Sequence, residues 1–131
     1  MAEITKSGTP SLSTATPPNN CVLAGKIAGE AIGAGDACYI KTSDSKVYKS
    51  TGAAANAAAV VDGFAFQAYA AGDPVTLMWH VRFAYGGVTP GTSYYLSGTV
   101  AGGLADAAST GGTVVIARGV DTSRIEVKRS W

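Results

Sequence analysis

From Val75 to Tyr85 the chain alternates for eleven residues. Val75, Leu77, Trp79, Val81, Phe83 and Tyr85 make one wholly apolar face, and Thr76, Met78, His80, Arg82 and Ala84 make a mixed one. A helix would scatter those apolar side chains around its circumference, whereas a strand puts them all on one side. The run predicts an extended strand. At about 3.3 Å per residue it would reach ~36 Å, so a bend or bulge is expected midway.

Shorter segments repeat the theme. Residues 21–28, 37–41, 46–49, 60–69, 93–97 and 113–120 are rich in strand formers, and in residues 123–129 Ile125 and Val127 alternate with outward Arg124, Glu126 and Lys128. Glycine-rich turns separate them, at Gly33-Ala34-Gly35-Asp36, Gly72-Asp73-Pro74, Gly86-Gly87, Thr89-Pro90-Gly91, Gly102-Gly103 and Gly111-Gly112. Many short strands at this spacing, without a helical period, predict an all-β fold, a small sandwich or barrel. The alanine run at 53–59 is too short to be a stable helix, and one helical turn or a packed loop is expected there.

A weak internal repeat crosses this pattern. Gly35-Asp36-Ala37-Cys38-Tyr39-Ile40 answers to Gly91-Thr92-Ser93-Tyr94-Tyr95-Leu96 at a shift of 56 residues. Val47-Tyr48 falls near Gly103-Leu104, and Val60-Val61-Asp62-Gly63 near Val114-Val115-Ile116-Ala117. Each half closes on an alternating strand, at 75–81 or 124–128. Two hairpin-bearing halves, each with a small apolar face, would close one core.

Residues 1–20 differ from the rest. They hold three of the five prolines and little apolar mass, so they are read as an extended or disordered arm preceding a β-rich domain at 21–131. Pro17-Pro18 favours an extended path that would order along a partner surface. The N-terminus lacks a charged stretch followed by an apolar one, so no secretory signal is expected. No run of 18 apolar residues occurs, so no membrane span is expected either. Ten basic against nine acidic residues leave +1, which argues against holding nucleic acid by bulk charge. Cys21 and Cys38 are too few for a disulfide scaffold and read as reduced thiols.

Catalytic signatures are missing. There is one histidine, His80, no G-x-S-x-G elbow, no C-x-x-C and no H-E-x-x-H, so neither a catalytic residue, a metal ligand nor a cofactor is assigned. Gly25-Lys26 lacks the rest of a phosphate loop. Asp36, Asp62, Asp73 and Asp121 sit at strand ends, where aspartate commonly bonds local backbone. A small hydrolase built on two of them would need both in one cleft with displaced pKa values. What remains is surface: Met78, His80 and Arg82 on the mixed face, the terminal Trp131, and Pro17 and Pro18 of the arm are the candidate contact residues.

The succession Ala34-Gly35-Asp36-Ala37-Cys38-Tyr39-Ile40, Lys46-Val47-Tyr48-Lys49, an alanine-rich stretch and Val61-Asp62-Gly63-Phe64-Ala65 resembles small virion proteins of tailed phages. Ala71-Gly72-Asp73-Pro74-Val75-Thr76-Leu77, Thr89-Pro90-Gly91-Thr92-Ser93-Tyr94-Tyr95-Leu96-Ser97 and Gly112-Thr113-Val114-Val115-Ile116-Ala117 continue the likeness, which spans about residues 30–128. It is similar to capsid decoration, or cement, proteins. The resemblance implies a non-enzymatic β module that binds the outside of a phage head and stabilises the major capsid protein lattice. It also implies self-association, often as trimers, a terminal arm in the contact, and location on the capsid exterior after assembly in the host cytoplasm. The rival expectation is a virion adhesin or head-fibre module binding host-surface glycans through exposed aromatics. Trp79 is its test residue, and its place in the alternation predicts burial.

Overall fold

The computed structural model describes residues 3–12 and 21–131. The chain is all β. Its strands are β1 (Ser11–Leu12), β2 (Val22–Ile27), β3 (Ala37–Ile40), β4 (Val47–Lys49), β5 (Gly63–Ala65), β6 (Pro74–Met78), β7 (Val81–Ala84), β8 (Ser93–Leu96), β9 (Leu104–Ala105), β10 (Val115–Asp121) and β11 (Arg124–Val127). The alanine run forms one 3-10 turn, Ala57–Ala59, which is capped where Asn56 Oδ1 accepts from Ala58 N.

Two antiparallel sheets repeat one topology. The N sheet runs β2-β6-β5-β3-β4, and the C sheet runs β7-β11-β10-β8-β9 with β1 added beside β7. In both, the five strands of a half stand in the order first, fifth, fourth, second, third. The internal repeat is therefore a repeat of fold. Its turns match atom for atom. Asp36 N donates to Gly33 O and Thr92 N to Thr89 O, both at 3.2 Å. The third residues, Gly35 (φ 76°) and Gly91 (φ 75°), take the left-handed backbone such a turn requires. Gly35 and Asp36 then exchange two bonds with Ala65, as Gly91 and Thr92 do with Gly119. Loop lengths differ between the halves, so the shift drifts from 56 at β3 and β8 to 54 at β5 and β10 and 48 at β6 and β11.

The long alternating run is two strands, not one. It breaks at Trp79-His80, where β6 leaves the N sheet and β7 enters the C sheet, and His80 takes φ 55° at the corner. The expected bend is thus a crossing between layers. It divides the apolar face: Val75 and Leu77 enter one core, and Val81, Phe83 and Tyr85 enter the other.

The first core lies between the sheets, where Phe64 of the N sheet meets Phe83 of the C sheet with ring centroids 6.4 Å apart. The second lies on the far side of the N sheet, where Ile32 and Tyr69 cover Cys38, Val47 and Leu77. The N sheet is consequently buried on both faces, and the C sheet on one. Residues 3–12 run along the body. Glu3 bridges Ala105 beyond one edge of the C sheet, and β1 pairs with β7 at the other. Lys6 forms an ion pair with Asp36. Pro17 and Pro18 lie outside the described residues.

Candidate interaction surface

Strand register sets four residues of each sheet in a row, one per strand. In the N sheet the row is Val22, Met78, Phe64 and Ala37, each paired with the next across the ladder. In the C sheet the matching row is Arg82, Glu126, Arg118 and Ser93. The N-sheet row faces the C sheet and helps form the inter-sheet core. The C-sheet row occupies the corresponding face, but no other layer of the described residues covers it. Four apolar or partly apolar positions have become two guanidiniums, a carboxylate and a hydroxyl.

The charges in that row are ordered. Arg82 Nε donates to Glu126 Oε1 at 3.2 Å, and Arg118 is the other cross-strand neighbour of Glu126. Both Arg82 and Glu126 are about half exposed, so the pair itself adds little to stability. Beside the row a groove of about 300 Å³ is lined by His80, Ser93, Val115, Arg118, Glu126 and Lys128, among others. Arg118 and Lys128 are exposed, and neither has an ion-pair partner among the described residues.

The C-terminus builds a second feature beside this groove. The Arg129 guanidinium lies 3.4 Å from the ring centroid of Trp79 and 4.1 Å from that of Trp131, a cation between two indoles. Asp62 organises it. Its Oδ1 accepts from Trp131 Nε1 and its backbone oxygen from Arg129 Nε, both at 2.9 Å, while Oδ2 accepts from Ile40 N at 2.8 Å. Ser130 N donates to Val61 O, and Val61 N donates to Ser130 Oγ. Burial lowers the Arg129 pKa from its usual value, yet a guanidinium starts high enough to stay charged. A second groove, about 250 Å³ and mostly apolar, adjoins the cluster along Ala55, Ala59, Val60, Val114, Ile116 and Ser130. The two grooves share no lining residue: the apolar one is bordered by Val61, Leu96 and Ile116 of the inter-sheet core, and the charged one by the outward row of the C sheet.

Among the residues singled out from sequence, His80 lines the charged groove, Arg82 stands in the outward C-sheet row and Trp131 belongs to the C-terminal aromatic cluster. Met78 is only 5% exposed because it belongs to the N-sheet row that the C sheet covers, and its assignment as a contact residue is corrected. Trp79 is half-buried under Arg129 rather than buried in the core that its alternation predicted. Trp131 is folded onto Asp62 and still 69% exposed. Arg118, Lys128, Arg129 and Asp62 were not singled out for contact, though Arg118 stands alone as a charge in the apolar run at 113–120, which is itself a signal.

The strand-end aspartates hold turns. Asp36 accepts from Gly33 N, Asp73 from Ala70 N and Asp121 from Ser123 N. Among the described residues, no three His, Cys, Asp or Glu side chains gather as a metal site. No protein-family model matches the chain, and no curated protein is significantly similar to it.

Proposed function

We propose that this chain is a virion structural protein that binds the outer surface of a phage head and stabilises the major capsid protein lattice, acting without catalysis. The observation that carries the reading is its one-sided construction. The N sheet is closed on both faces, whereas the C sheet, among the described residues, has one uncovered face that carries Arg118 and Lys128 without ion-pair partners. A module so built suits docking by one side onto a repeating surface. There, weak single contacts add through avidity, by about 10²–10⁴ over one site. The resemblance of residues 30–128 to decoration proteins supports the same reading, including self-association on the lattice and a place on the capsid exterior.

Co-sedimentation with undecorated heads of its own phage, before and after expansion, tests it. Saturable binding at a fixed ratio to capsid protein is expected, and absence of binding to either form would overturn the proposal.

One observation favours the adhesin reading as the second choice. Trp131 presents most of its indole to solvent beside the Asp62 carboxylate, an arrangement on which a sugar ring can stack. Glycan screening with Trp131→Ala as the control separates the two: sugar binding that requires Trp131, without head binding, would select the adhesin.

A further inference from the structure

We infer that the open face of the C sheet, centred on Arg118 and Lys128, is the docking face and that it recognises an acidic, carboxylate-bearing protein surface. This rests on the decoration reading and adds to it the face used and the chemistry met there.

The internal repeat supplies the first argument. Val22, Met78, Phe64 and Ala37 show what the row looks like when another β layer covers it: apolar, and in Phe64 fully buried. The matching row, Arg82, Glu126, Arg118 and Ser93, differs at all four positions. A further layer of the N- or C-sheet type would have to bury Arg118 and Glu126 out of water, at the large desolvation cost of buried charge. A second copy of this chain packed sheet on sheet is therefore a poor occupant. The face suits a polar partner.

Charge gives the second argument. Arg82, Arg118 and Lys128 face one carboxylate, Glu126, and Arg82 already holds it. Two cations, Arg118 and Lys128, are left over on this face without an ion-pair partner among the described residues. The groove between them is concave, and His80 lies in its lining, so the face offers hydrogen-bond donors around a cleft rather than a flat charge. An exposed arginine such as Arg118, with no ion-pair partner among the described residues, is the residue type best suited to bidentate capture of a carboxylate. Complementary carboxylates on the partner would steer encounter and fix orientation.

The test uses three forms of the full chain: wild type, Arg118→Glu with Lys128→Glu, and Glu126→Gln. All three sites are exposed, and circular dichroism checks that each variant is folded. Binding is measured to undecorated heads by co-sedimentation and, separately, to a deca-glutamate peptide by fluorescence anisotropy, at about 50 mM and about 300 mM salt. The double reversal should weaken both bindings by about tenfold or more. Glu126→Gln should tighten both by about two- to threefold, and high salt should weaken the wild type. Heads bound equally by wild type and double reversal would overturn this inference and leave the decoration reading standing. Arg118-dependent peptide binding without head binding would uphold the face and overturn that reading. Binding to neither would overturn both.

Discussion

Met78 and His80 are two residues apart on the same side of the alternating run, and they end in opposite places. Met78 is core because its sheet is covered, and His80 is exposed because the chain turns there to reach the other layer. The left-handed backbone at His80 is one that histidine enters more readily than β-branched residues do. Cys38 is the other residue whose surroundings decide its chemistry. Burial, and then the charge of Asp36, push its thiol well above the usual range, and its Sγ–H donates to Asp36 O at 3.3 Å. Cys21 is half-buried. A thiol reagent at pH 8 should consume Cys21 and spare Cys38 until the protein unfolds. Because the folded pKa of Cys38 lies above the unfolded one, its contribution to stability is complete below about pH 8.5. Above that pH it is lost by up to about 1.4 kcal/mol per pH unit. Alkaline thermal melts should show this decline, and Cys38→Ala should flatten it. Rapid labelling of both thiols in the folded chain would contradict the burial of Cys38.

At the scale of elements, the two type-II-like turns offer a matched experiment. A Cβ on Gly91 would meet only the Arg118 guanidinium at 3.9 Å, so Gly91→Ala should cost only the strain of its positive φ, about 1–2 kcal/mol. A Cβ on Gly35 would meet the Pro10 ring at 2.7 Å, so Gly35→Ala should cost more and also lift residues 3–12 from the body. Thermal denaturation and limited trypsin digestion check this, with new cleavage after Lys6 expected in Gly35→Ala alone. Equal losses without new cleavage would contradict the docking of residues 3–12 onto that turn. The shorter strands legible from sequence were those with β-branched or aromatic runs, namely β2, β3, β4, β5, β8, β10 and β11. β1 and β9, two residues each, carry too little pattern to be read, and Leu104 emerged only through the repeat. The break between β6 and β7 was hidden for another reason: the alternation keeps phase through the corner, so periodicity registers no change of sheet.

For the whole molecule, the asymmetry between two halves of one topology is the main result. Both chain ends reinforce the contact between them, Lys6 through Asp36 and the Arg129–Trp131 segment through Asp62 and Trp79. The candidate surface was legible only in part. His80, Arg82 and Trp131 could be named because each stands out locally, by charge on a mixed face or by an aromatic beyond the last strand. The row from Arg82 to Ser93 could not, since strand pairing brings together residues up to 44 positions apart, as Arg82 and Glu126 are. The most direct measurement is electron cryomicroscopy of heads saturated with the chain. The docked domain should lie on the capsid exterior with β7, β11, β10 and β8 facing the shell and Arg118 against capsid carboxylates. A domain bound with that face toward solvent, or heads left bare, would contradict it.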